Sequence, residues 1–151
     1  MKIIKSLLTG LAAIGIVLVV SESAMAANSQ IAITTQNLTT VTITPSSLNY
    51  AGALSPTPGN IIAGSYQTVY NTGLSTVTSY HIDYSTISGG KKCHYDASSW
   101  LSNPATGACT FNKATQSTGS SFATCTATIT STAPPSPSNP NCSFAVTFGI
   151  Q

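Results

Sequence analysis

The chain has 151 residues and only 5% of them are charged: five Lys, no Arg, two Asp and one Glu. An ordinary soluble domain carries about 25%. No basic stripe exists to neutralise phosphates, and the few carboxylates cannot cage calcium, so nucleic-acid binding and calcium binding are excluded as expectations.

Hydroxyls stand where charges are missing, with 22 Ser and 23 Thr. At the start of the chain, Lys2 and Lys5 precede an apolar run over residues 7–20, and Ala24-Met25-Ala26 places small residues at the positions a signal peptidase reads. This is the layout of a secretory signal, with cleavage expected after Ala26. The run is short of the about 20 residues a membrane span needs. Residues 27–151 are then expected to form one exported domain with no integral membrane segment. Its charged side chains are Asp83, Lys91, Lys92, Asp96 and Lys113.

The dominant period from there on is two. Thr40-Val41-Thr42-Ile43-Thr44 alternates, and Tyr80, Ile82 and Tyr84 share one face of the segment 79–85. Residues 123–130 and 142–150 alternate as well, the latter through Phe144, Val146, Phe148 and Ile150. Such alternation marks strands buried on one face. Strands are predicted over 30–35, 38–44, 65–71, 76–87, 91–95, 108–113, 121–130 and 142–150. Breakers separate them, among them Asn71-Thr72-Gly73, Ser88-Gly89-Gly90 and a Pro-rich loop over 133–140. The expected fold is all-β, an antiparallel immunoglobulin-like sandwich of seven or eight strands. The segment 51–64 has no clear assignment.

Cys93, Cys109, Cys125 and Cys142 are spaced 16, 16 and 17 residues apart, with no C-x-x-C pair. An even set in an exported chain predicts two disulfides rather than a zinc or redox motif.

The order of motifs resembles exported bacterial immunoglobulin-like domains of the abnormal-spindle/hydin (ASH) type. Thr44-Pro45-Ser46-Ser47-Leu48-Asn49-Tyr50 is similar to their "P-S-S-L-x-F" opening, and Thr68-Val69-Tyr70-Asn71-Thr72-Gly73 to their "V-x-N-T-G" turn. Cys93, Trp100-Leu101 and Gly107-Ala108-Cys109-Thr110-Phe111 resemble their "C…L-x-P-G-x-x-C-T" stretch, and Gln116-Ser117-Thr118-Gly119 falls at their next Gly turn. The likeness covers residues 41–150. The usual Pro after the "T-x-F" run is replaced by Asn112-Lys113, and Cys125 and Cys142 have no counterpart. The resemblance implies a binding or spacer module and a Cys93–Cys109 bridge, leaving Cys125–Cys142. Hairpin geometry offers a different set: Cys109 opposite Cys125 about a turn at Ser117, with Cys93–Cys142 as the second bridge. Both sets remain open at this point.

Two H-x-D units, His81-Ile82-Asp83 and His94-Tyr95-Asp96, are the candidate metal or acid–base groups, since residues i and i+2 share a strand face. The alternation instead predicts His81 and Asp83 as solvent-facing polar residues, so no metal, cofactor or catalytic residue is expected. No G-x-S-x-G elbow is present, and Asp83 with Asp96 is the lone carboxylate pair after residue 26. Tyr95, Trp100, Lys91 and Lys92 form a possible binding patch for a protein or surface glycan. The competing reading makes Trp100 a plug at the end of the sandwich beside Cys93–Cys109. The expected function is a small non-catalytic binding or structural module, monomeric, in the periplasm, on the surface or in the medium of a Gram-negative bacterium. The alternative is a pilin-like fimbrial subunit, with residues 30–35 as the strand donated to a neighbour. A metal-dependent or serine hydrolase ranks last.

Overall fold

The computed structural model describes residues 28–73 and 77–151. The expected signal segment lies outside the described residues, as does the first residue of the strand predicted at 76–87.

Nine strands are present, and no helix occurs among the described residues. They are β1 (Gln30–Asn37), β2 (Ile43–Ala51), β3 (Ala53–Ser55), β4 (Tyr66–Thr72), β5 (Thr78–Thr86), β6 (Lys92–Asn103), β7 (Ala108–Ser117), β8 (Cys125–Thr132) and β9 (Phe144–Ile150). A five-stranded sheet in the order β3-β4-β1-β9-β8 packs on a four-stranded sheet in the order β2-β5-β6-β7. The sandwich is the expected one. Its ninth strand is β3, from the segment left unassigned. One pairing, β1 with β9, is parallel.

The period of two explains the core. Ile31 and Ile33 of β1 lie beside Phe144 and Val146 of β9 in register, all facing inward. Tyr80, Ile82 and Tyr84 of β5 and Tyr95 of β6 face them from the other sheet. Each such side chain, fully buried, contributes about 1.5–3 kcal/mol relative to exposure.

Three boundaries differ from expectation for identifiable reasons. The alternating residues 40–44 do not open a strand at 38, because buried Asn37 folds the chain back. Its Oδ1 accepts from Thr39 N and Oγ1, and its Nδ2 donates to Val41 O and Ile61 O. β6 and β7 run well past residues 95 and 113, as their ladder extends from Cys93↔Ser117 to Asn103↔Ala108. β8 begins at Cys125, because residues 118–124 carry the chain from one sheet to the other.

That crossing also decides the disulfides. The bridges are Cys93–Cys125 and Cys109–Cys142, with Cα separations of 5.7 and 5.4 Å. Neither predicted set is correct. β7 and β8 are not a hairpin, so Cys109 does not meet Cys125. Cys93 and Cys109 sit at opposite ends of the β6–β7 ladder, opposite Ser117 and Leu101. Cys125 pairs with Ile150 at the far end of β9 from Cys142. The first bridge joins β6 to β8 across the two sheets, the second ties β7 to the loop just before β9, and no cysteine is free. Such a set belongs in an oxidising, exported environment.

Candidate functional site

A hairpin folded midway between Ser88 and Gly89 sets β5 against β6 with His81 opposite Asp96 and Asp83 opposite His94. Antiparallel pairing thus merges the two H-x-D units into one four-residue cluster on the outer face of the four-stranded sheet. His81 Nδ1 lies 2.5 Å from Asp96 Oδ1, and His94 Nδ1 lies 2.6 Å from Asp83 Oδ1. His94 Nε2 lies 3.2 Å from Asp96 Oδ2, and Lys92 Nζ lies 2.8 Å from Asp83 Oδ2. The imidazoles meet edge to face, with ring centroids 4.3 Å apart. Three of the five charged side chains among the described residues therefore join both histidines in a single network.

The outer-face expectation holds for His81, but Asp83 is only 7% exposed. Burial pushes its carboxyl up. Hydrogen bonds from Lys92, His94 and Ser47 and the Lys92 charge outweigh that and hold it below the usual carboxylate value. Ser47 reaches Asp83 through a bulge in β2 between Ser46 and Asn49, opposite Asp83 and His81, where Ser47 takes φ 51°. Bulges re-aim side chains in this way. No motif marks Ser47 as a site residue; its trace in the sequence is the Pro45-Ser46-Ser47 breaker. A groove of about 510 Å³ adjoins the cluster, lined by Asn49, Ser79, His81, Asp96, Ser98 and Asn112.

The predicted aromatic and lysine patch is not assembled. Tyr95 is fully buried, stacks on Phe148 with ring centroids 4.5 Å apart, and donates from its hydroxyl to Gly149 O at 2.7 Å. It points inward because it alternates with His94 and Asp96. Trp100 points outward from β6, opposite Thr110 and 37% exposed, so it is not an end plug either. Lys92 is engaged by Asp83, and Lys91 lies in the turn after β5, at the other end of β6 from Trp100.

A different surface stands out at that turn. Four loops converge beyond the C-terminal ends of β1 and β9. Leu38 N donates to Ile150 O, Gly64 N to Asn37 O, Ile87 N to Thr42 O and Ser121 N to Gly90 O. Their side chains include Phe122 (81% exposed), Ile87 (76%) and Ile62 (64%), together with exposed Leu38, Val41 and Tyr66. Between them lies a hollow of about 420 Å³ lined by Leu38, Val41, Thr86, Lys91, Ser121 and Gln151. Lys91 supplies the one charged side chain among the described residues that line it. Asn37, buried and fully hydrogen-bonded, fixes the base of two of the loops. Val41 belongs to an alternating run, but Leu38, Ile87 and Phe122 lie near the ends of predicted strands and Ile62 in the unassigned segment, so periodicity does not gather them.

No protein-family model and no curated protein matches the chain. Among solved structures, the lipid binding protein Nakanori is similar in fold, with a TM-score of 0.55 at 10% identity over 83% of this chain and 72% of that one.

Proposed function

We propose that this chain is an exported, non-catalytic binding module that holds a protein partner by the apolar loop end of its sandwich. The observation that carries this is the cluster of exposed Leu38, Ile62, Ile87 and Phe122 on four loops tied together by backbone hydrogen bonds. Large apolar side chains exposed together at one end of a domain point to an interaction site. Depletion of charge with aliphatic and aromatic side chains is the composition of an interface centre. Of the two partner classes that the sequence suggests, the exposed Ile62, Ile87 and Phe122 favour a protein over a surface glycan, although the hollow beside them is lined largely by hydroxyls. The module reading agrees with the role implied by the ASH-type resemblance. We place the protein in the periplasm or outside a Gram-negative cell, after removal of residues 1–26.

A lipid surface is the second reading. It is supported by the same apolar tips beside Lys91, and by the lipid binding named for the fold neighbour. Assembly by strand exchange is a further alternative. Here β1, the strand that would be donated, lies between β4 and β9 of its own chain.

The test measures binding of labelled protein to envelope fractions of the producing cell, with and without protease treatment, and to protein-free vesicles. The expected result is protease-sensitive binding that an Ile87→Ser/Phe122→Ser variant loses and a Tyr70→Ser variant keeps. Equal binding to protein-free vesicles would replace the protein partner by lipid. Binding unaffected by the loop substitutions, or none, would overturn the proposal.

A further inference from the structure

The geometry points to a divalent transition-metal site on the outer face of the four-stranded sheet, with His81, His94 and Asp96 as ligands. It is independent of the loop end and of what binds there. One ligand atom from each of these residues lies within 4.8 Å of the others. Zinc bonds nitrogen and oxygen at about 2.0–2.2 Å. Ligand atoms around one tetrahedral ion therefore sit roughly 3.3–3.6 Å apart. Small side-chain rotations on a rigid pair of strands close that difference.

The pairing of His94 is the second observation. Asp83 Oδ1 is 2.6 Å from Nδ1 and, as a carboxylate, accepts the Nδ1 proton. The remaining nitrogen, Nε2, then turns its lone pair toward Asp96 Oδ2 at 3.2 Å. Two acceptors face each other, so a cation belongs between them, either a proton on Nε2 or a metal ion. A carboxylate behind a ligating imidazole is the usual arrangement for fixing tautomer and orientation at metal sites. Asp83 is itself fixed by Lys92 and Ser47. It is a positioning residue, and it leaves Nε2 free to ligate.

Two imidazoles and a carboxylate suit zinc, and also copper or nickel, better than calcium or magnesium. Three protein ligands leave a position open. His81 and Asp96 also line the polar groove, beside Asn49, Ser79, Ser98 and Asn112.

The test titrates untagged, disulfide-intact protein with zinc ions by calorimetry, and with cobalt ions by visible absorption. One zinc per chain is expected, with a cobalt spectrum of low-symmetry coordination and a rise in Tm on adding zinc. A His81→Ala/His94→Ala variant should lose all three, while its circular dichroism stays that of a sandwich. Asp83→Asn should keep the stoichiometry and weaken zinc binding about 10- to 100-fold. Absence of saturable zinc binding by the parent protein, or binding unchanged in the double variant, would overturn the site. Unchanged affinity in Asp83→Asn would overturn the positioning role.

Discussion

Cys93 and Cys125 face each other across the core from different sheets, with Cα atoms 5.7 Å apart. Cys125 lies beside Ile150, the last residue of β9, whereas Cys142 of the second bridge precedes the first. The two disulfides therefore clamp opposite ends of the sandwich. Trypsin offers a direct check, because Lys92 and Lys113 split the cysteines into one peptide with Cys93 and Cys109 and another with Cys125 and Cys142. Digested in denaturant without reduction, these peptides should remain joined. Two separate peptides would show the Cys93–Cys109 and Cys125–Cys142 set instead.

The Cys93–Cys125 bridge closes a loop of 32 residues in the unfolded chain. Its chain-entropy contribution is about 3–4 kcal/mol. A Cys93→Ser/Cys125→Ser variant should lose roughly that much unfolding free energy in urea titration. A loss below about 1 kcal/mol would mean that the bridge does not constrain the unfolded chain as drawn.

Two buried tyrosines should respond oppositely to the same substitution. Tyr95 donates to Gly149 O, so Tyr95→Phe removes a buried hydrogen bond and should cost about 1 kcal/mol. Tyr80 is 1% exposed and its hydroxyl has no hydrogen-bond partner among the described residues. Tyr80→Phe should be neutral or stabilising, since it removes an unsatisfied polar group. Urea midpoints for the two variants decide this, and a larger loss for Tyr80→Phe would contradict it.

Burial raises the hydroxyl pKa of Tyr80, Tyr84 and Tyr95, with Tyr84 pushed up to about 12. For Tyr80 and Tyr95 the neighbouring Tyr84 adds to the rise, while for Tyr84 a hydrogen bond with Thr35 opposes it. In the unfolded chain a tyrosine ionises at about 10. Above that pH the folded state keeps protons that the unfolded state has released. The stabilisation is thus complete below about 10 and is lost progressively as pH rises toward the folded values. Stability measured between pH 9 and 12 should fall steeply, and more steeply than in Tyr84→Phe. A flat profile would show that these hydroxyls reach solvent.

The strands with strict alternation were the legible part of this chain. Phe144, Val146 and Phe148 announce β9, and Tyr80, Ile82 and Tyr84 announce β5. The disulfides were not legible, because the decisive event is a change of sheet over residues 118–124, which leaves no mark in periodicity. The His/Asp cluster was half legible. Each H-x-D unit is visible, but a hairpin centred on Gly89, the middle of the Ser88-Gly89-Gly90 breaker, would set His81 opposite Ala97; the actual centre, between Ser88 and Gly89, sets it opposite Asp96. The loop end was invisible, since Leu38, Ile62, Ile87 and Phe122 are scattered in sequence and gathered only by the fold.

The proposed use of that loop end has the most direct test in site-specific photo-crosslinking on living producer cells. A crosslinker at position 122 should yield a discrete, protease-sensitive adduct that Ile87→Ser suppresses, and one at position 70, on the outer face of β4, should yield none. Identical adducts from both positions, or adducts with lipid alone, would contradict a protein partner held at the loop end.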